Sequence, residues 1–430
     1  MNFGKIVVFT TLLSSYTFSI DFTQLLYHLN ENSKQLQFKK YDIDISKEDL
    51  NIIKSEDYPT VSIGLNIENS KSLEDSLSST SVGDNNLIGD SLKKSYGYVN
   101  LNYNLYSFGR YDNKKKVQEY QIETSKYEYC LANKDLILKL LDFYNNSLNY
   151  QIKTEILEEI IDVKSKIYNS KEKLFSTGNI SKLEVTKGAI EVADLYSQIS
   201  ENKKELKNLL NQISLLTNYS FIKNEFLEPL VINKFEDERK FEDTVNAKTI
   251  LSQIKAKQSE ISLQEKEYLP NLNFYSKYDV YGNDKDSYKK SIEEMKEYSY
   301  KYGLNLSINV FNGFKISAQK QKNLLQLKQL QTKYDLEKDN FENQILTIND
   351  NYEMDTLDLK NKTQTLELAL ANSNDSLRLK KIGELGQIEM LNVQIEKKYK
   401  ELDYKLSKGK LAYEYTKKSI LLEDNECIVP

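Results

Sequence analysis

Two periods take turns along this chain. Around position 60 apolar residues fall on every second position: Val61, Ile63, Leu65 and Ile67 alternate with Ser62, Gly64, Asn66 and Glu68. The same period returns in Val99, Leu101, Tyr103 and Leu105, and again in Leu272, Phe274, Tyr278 and Val280. Its clearest run is Tyr298, Tyr300, Tyr302, Leu304, Leu306, Ile308 and Val310. Successive side chains of a strand point to opposite faces, so each run predicts a strand with one apolar and one polar face. Pro59 and Pro270 open the first strand of each pair, because proline drives the residue before it out of the helical region.

Elsewhere the period is helical. Leu141, Tyr144, Leu148, Ile152, Ile156, Ile160, Val163, Ile167 and Leu174 recur at intervals of three, four or seven. They predict one striped helix from Arg110 to Thr177, which at 1.5 Å per residue would reach roughly 100 Å. Leu327, Leu330, Tyr334, Phe341, Ile345, Ile348 and Tyr352 stripe a second long helix. Val192, Leu195, Ile199, Leu206, Leu209, Ile213 and Leu216 stripe a shorter returning one. A narrow stripe with polar flanks packs as a coiled coil rather than as a globular core. The chain has only 14 Gly and 4 Pro in 430 residues, which is what such uninterrupted helices require. An opening helix from Phe22 to Glu56 is expected, with Asp21 or Thr23 as its cap.

These elements occur twice in the same order. Asn104–Arg110 (NLYSFGR) parallels Asn309–Lys315 (NVFNGFK), and Gly178 parallels Gly383, each pair 205 residues apart. Pro59 and Pro270 are 211 apart, and the six extra residues of the first copy fall where a loop can absorb them. The first repeat is therefore 20–218, with a β-hairpin over 58–108, a long helix over 110–177 and a return helix over 182–218. The second is 241–422, with a hairpin over 270–311, a long helix over 314–382 and a return over 387–422. Residues 219–240 read as a connecting belt and 423–430 as a tail.

Residues 1–19 read as a secretory signal. Lys5 supplies the positive start, Ile6–Leu13 the apolar core, and Thr17-Phe18-Ser19 the small-x-small cleavage site. No later run of about 18 apolar residues exists to form a spanning helix. Strands of this alternation could instead cross a membrane, with the chain's 31 Tyr supplying interfacial girdles. Four strands cannot close a barrel and open edges are not tolerated in lipid, so several chains would have to share one. Three copies would supply 12 strands.

The remaining chemistry is sparse. The single histidine, His28, excludes most His-based metal or triad chemistry, and no phosphate-binding Gly loop or zinc-spaced Cys pair is present. No cofactor or metal is expected, and no enzyme activity. A net charge of −5 without a basic stripe argues against nucleic acid as a partner. Cys130 and Cys427 lie far apart in sequence and are read as unpaired, with a disulfide as the alternative in an oxidising compartment.

The plan resembles the TolC family of outer membrane efflux proteins across nearly the whole mature chain. The resemblance rests on the opening Phe22-Thr23-Gln24-Leu25-Leu26, the strand-opening prolines and the two strand-to-helix phrases. It rests also on the helix-tip phrases Gly178–Val185 and Gly383–Leu391. It implies a mainly α fold with membrane β: a homotrimer with four strands per protomer in a shared 12-stranded barrel, continued by a long α-helical coiled-coil tunnel. The implied place is the bacterial outer membrane, extending into the periplasm and in contact with its lipid. The implied role is a passive duct of a tripartite efflux or type I secretion system, with a periplasmic adaptor and an inner-membrane RND, ABC or MFS transporter. A soluble periplasmic coiled-coil or adaptor-like protein is the second reading.

Site residues follow from the same resemblance. Strand–helix transitions are expected at Pro59, Gly109, Pro270 and Gly313. Asn104 and Asn309 stand where the family usually has Pro, which leaves the bend to Gly109 and Gly313. Adaptor docking is expected at the tips, Gly178, Asn179, Ile180 and Ser181 together with Gly383, Glu384, Leu385 and Gly386. The periplasmic aperture falls on Glu389, Asn392 and Glu184. Lys187 takes the other acidic position of the first half, and Leu385 replaces a basic residue of some relatives, so their salt-bridge latch does not carry over. Glu389 has two readings, an acidic ring at the constriction or a cap on the returning helix.

Overall fold

A computed structural model describes residues 19–71, 91–222, 225–231 and 240–422. The signal sequence apart from Ser19, most of the first hairpin's loop, parts of the connecting belt and the tail with Cys427 lie outside the described residues. In chain order the elements are β1 (Ser19–Ile20), α1 (Phe22–Asn32), α2 (Lys34–Ser55), β2 (Thr60–Lys71), β3 (Ser91–Tyr106), α3 (Arg110–Ser176) and α4 (Lys182–Thr217). The second part continues with β4 (Phe226–Leu227), α5 (Val245–Glu265), β5 (Asn271–Asp284), α6 (Tyr288–Glu293), β6 (Glu297–Ser307), α7 (Lys315–Lys381) and α8 (Gln387–Leu422).

The chain forms two compact units, each drawing on both repeats. One comprises Met1–Tyr41, Lys126–Lys248 and Asp335–Pro430; the other comprises Asp42–Ser125 and Thr249–Tyr334. In the first unit the helical stripe of α3 is the core. Leu141, Tyr144, Ile156 and Ile160 are fully buried, and Ile156–Ile167 pack with Leu195 and Ile199 of α4 and Met390, Leu391 and Ile395 of α8. By contrast, α7 keeps Leu346, Met354, Leu357, Leu368 and Leu370 exposed among the described residues.

Tyr144 anchors the first of the described residues. Its ring meets Phe22 edge-on, and its hydroxyl lies 2.7 Å from the Glu228 carbonyl and 3.2 Å from that of Ile20. Ile20 and Leu227 are partners in the short parallel pair β1–β4. Burial first, then the nearby Asp21 and Glu228 carboxylates, pushes the phenol far above its ordinary range, so it acts as a permanent donor. Asp21 caps α1 by accepting from the Gln24 amide at 2.7 Å, and the Gln24 side chain returns the bond in a capping box.

Two expectations need correction. The opening helix is not continuous: it breaks at Ser33, which is extended and buried, after Asn30-Glu31-Asn32. Asn and Ser compete with the helical backbone through their own side chains, so a break needs neither Gly nor Pro. Cys130 is not a free thiol; it is buried and disulfide-bonded. Sequence separation carried no information about distance in space.

The second unit holds one antiparallel sheet in the order β2-β3-β5-β6. The two hairpins thus lie side by side, joined by β3 and β5. Over the far end of β3 and β5 lies α6, whose buried Ser291 hydroxyl sits 2.9 Å from both Ser95 Oγ and the Gly282 carbonyl. Gly282 is required there, since a Cβ would meet the Ser291 carbonyl at 2.2 Å.

Candidate functional site

Register decides what each face of the sheet can do. Pairs Val61↔Leu101, Ile63↔Val99, Val99↔Tyr278, Tyr278↔Tyr300 and Phe274↔Leu304 gather the alternating apolar residues on one face. Among the described residues that face is bare: Ile63 is 81% exposed, Tyr300 71% and Leu304 64%. Ser62, Asn100, Lys277 and Lys301 share a rung on the other face, beside Gly64, Tyr98, Asp279 and Ser299. Lys277 is ion-paired there with Asp279 at 2.7 Å, and its Nζ lies 5.0 Å from the centre of the Tyr98 ring. An apolar face of this extent on strands of 11 to 16 residues suits lipid, since about 9–11 residues span a bilayer core.

Each hairpin turns into its long helix through two left-handed residues. These are Phe108 (φ 52°) with Gly109 (φ 79°), and Gly313 (φ 65°) with Phe314 (φ 64°). At each joint one member of the pair is Gly and the other Phe, in opposite order. A left-handed Phe costs on the order of 1–2 kcal/mol, so the turn is held by what surrounds it. At the first joint the holder is Arg110. Its Nη1 donates to the Leu269 carbonyl at 3.2 Å and its Nη2 to that of Pro270 at 2.9 Å, fixing the entry to β5. Pro59 and Pro270 each stand immediately before a strand.

The tips repeat one motif. At the end of α3 the Asn179 amide donates to the Leu174 carbonyl (2.8 Å) and the Gly178 amide to Phe175 (2.9 Å), with Gly178 at φ 76°. At the end of α7 the Glu384 amide donates to Leu379 (3.0 Å) and the Gly383 amide to Lys380 (3.1 Å), with Gly383 at φ 81°. Both are Schellman turns, in which a left-handed residue lets two amides satisfy the last helical carbonyls. Ser181 then caps α4, accepting from the Glu184 amide at 3.4 Å. Gly386 opens α8, where Glu389 Oε2 accepts from the Gly386 amide at 3.3 Å. Gly178, Asn179, Ser181, Gly383, Glu384 and Gly386 are exposed, with Ile180 and Leu385 half-buried. The three aperture residues, Glu184, Glu389 and Asn392, are exposed as well.

The family profile for "Outer membrane efflux protein" matches residues 25–218, the first of the two repeats. That match covers a little under half of the chain. Among solved structures, CusC superposes with a TM-score of 0.75 at 14% identity, over 94% of this chain and 93% of CusC. The CmeC outer membrane channel of Campylobacter jejuni gives 0.73 at 15% identity, over 93% and 84%. The open-state MtrE channel of Neisseria gonorrhoeae gives 0.69 at 11% identity, over 93% and 88%. No curated protein matches the sequence significantly. The mainly helical fold with four antiparallel strands is therefore that of these channels.

Sequence reasoning missed three features of the site. Arg110 was visible only as the last letter of a strand-to-helix phrase; its partners are 159 and 160 residues away. The helix α6 is six residues long, too short to show a period. The left-handed Phe108 and Phe314 carry no signal except their neighbouring glycines.

Proposed function

We propose that three copies of this chain form a continuous trans-periplasmic exit duct, working with a periplasmic adaptor and an inner-membrane RND, ABC or MFS pump in efflux or type I secretion. The observation that carries this is the four-stranded sheet, which among the described residues has a bare apolar face and two unpaired edges, β2 and β6. Such a sheet is stable in lipid only if other strands take up both edges. The exposed apolar residues of α7 ask for a neighbour along the helical part too. A heterologous contact repeated about a three-fold axis closes on itself, and three sheets of four make the 12-stranded barrel.

The tips are the docking surface for the adaptor. Gly178 and Gly383 have open space around them, so their turns present backbone and short side chains without obstruction. A Gly383→Pro variant that assembles normally should lose efflux; full efflux would remove docking from that tip. Glu389 serves two purposes in this reading. It caps α8 through the Gly386 amide, and its three copies ring the aperture with negative charge, which favours cations. Single-channel recording tests the ring: Glu389→Ala should lower cation selectivity, and unchanged selectivity would leave Glu389 as a cap alone. Co-purification of an adaptor from envelope extracts, lost on changing both tips, tests the partnership itself.

A further inference from the structure

We infer the register of the seam between neighbouring copies, a contact that no single chain contains, from the symmetry between the two hairpins. This rests on the three-copy reading above. First strands of the two hairpins correspond at an offset of 211 residues and second strands at 205, as the landmark phrases show. The hydrogen-bonded ladders obey these offsets. Val61↔Leu101 maps onto Leu272↔Leu306, and Ile67↔Ser95 onto Tyr278↔Tyr300, and all four pairs are observed. The six-residue difference therefore falls entirely in the hairpin ends, and the two hairpins are superposable in register.

Inside the chain the second strand of the first hairpin, β3, pairs with the first strand of the second hairpin, β5. The pairs Asn100↔Lys277, Val99↔Tyr278 and Tyr103↔Phe274 define that contact. Around a closed ring of identical hairpin pairs, β6 must meet β2 of the next copy as β3 meets β5. Applying the offsets gives Asn305 opposite Asn66, Leu304 opposite Ile67, Leu306 opposite Leu65, and Ile308 opposite Ile63 of the next copy. The result passes a check that was free to fail. A slip of one residue would throw every side chain to the wrong face, yet each derived pair joins apolar to apolar or polar to polar. Both edges are exposed in the isolated chain, Ile63 at 81% and Leu306 at 64%.

The same mapping names a second contact. Lys315 is the counterpart of Arg110, and Tyr58 and Pro59 are the counterparts of Leu269 and Pro270. Lys315 of one copy therefore reaches one strand-entry carbonyl, of Tyr58 or Pro59, of the next, in the place that Arg110 holds within the chain. Tyr58 is 70% exposed and Lys315 is exposed, so both ends are available.

Cysteine pairs read the register directly. Directly opposed Cβ atoms lie about 4.5–5.5 Å apart and diagonal ones about 7–8 Å, beyond the reach of a disulfide. In full-length chain extracted from outer membranes, Asn305→Cys with Asn66→Cys should oxidise to covalent dimers and trimers. Asn305→Cys paired with Gly64→Cys or with Glu68→Cys should give little. If a shifted pair cross-links best while native mass spectrometry still shows trimers, the derived register is wrong and the three-copy duct stands. If the parent protein has the mass of one chain in detergent, the duct and the seam fall together.

Discussion

Replacing Arg110 by alanine probes the element that joins the two hairpins. Two charge-assisted hydrogen bonds would be lost, at 3.2 and 2.9 Å, to adjacent carbonyls at the entry to β5. Bonds to charged groups contribute about 1.5–3 kcal/mol each, and the Leu269 bond is solvent-exposed, so the pair together is worth about 2–3 kcal/mol. Every 1.4 kcal/mol is tenfold in an equilibrium, so the start of β5 should open roughly 30- to 100-fold more often. Hydrogen exchange at Asn271–Phe274 measures this, with the middle of β5, held by β3 and β6, as the internal reference. Arg110→Lys should recover only part of the protection, because an ammonium is a point donor and cannot span two carbonyls as the guanidinium fork does. Equal exchange in Arg110→Ala and the parent would show that the joint is held by the ladder alone.

Three further outcomes are expected. Tyr144→Phe keeps the ring against Phe22 and removes the hydroxyl, leaving the Glu228 carbonyl unsatisfied; it should cost about 1–2 kcal/mol, read as faster exchange at Ile20–Phe22 with little change in α3. Gly178→Ala and Gly383→Ala meet no atom but must hold a left-handed residue, so each should cost about 1 kcal/mol and fray only its own tip by exchange. Glu414 is buried, and burial above all, opposed by Lys417 and reinforced by Asp355, raises the pKa of its carboxyl. A raised folded pKa means the acid favours the fold below its unfolded value and costs stability as pH rises through the folded one. Glu414→Gln should therefore raise Tm at neutral pH, with the gain fading toward about pH 4, and a gain independent of pH would contradict that assignment.

Much of this fold could be read from the chain because its two periods are long and clean. Sixteen residues of β3 and 67 of α3 give pattern enough to outweigh local noise. The repeat added register, since the shared phrases tie first strands to first strands and second strands to second strands. What escaped was short or distant. The break at Ser33, the two-residue strands β1 and β4, and α6 are each decided by tertiary contacts such as Tyr144 to Glu228 or Ser291 to Gly282. The clamp of Arg110 and the bonded state of Cys130 depend on proximity in space, which spacing in sequence does not encode. At the tips, Gly was legible as a turn residue, whereas the bond from the Gly386 amide to Glu389 depends on a side-chain orientation that spacing does not encode.

The central claim is that this sheet is one part of a closed wall made by several copies. It is met most directly by reconstituting the processed, detergent-extracted protein into a planar lipid bilayer after measuring its native mass. The account predicts the mass of three chains and stable, stepwise ion conductance. A single-chain mass, with recovery in the aqueous fraction and a silent bilayer, would contradict it.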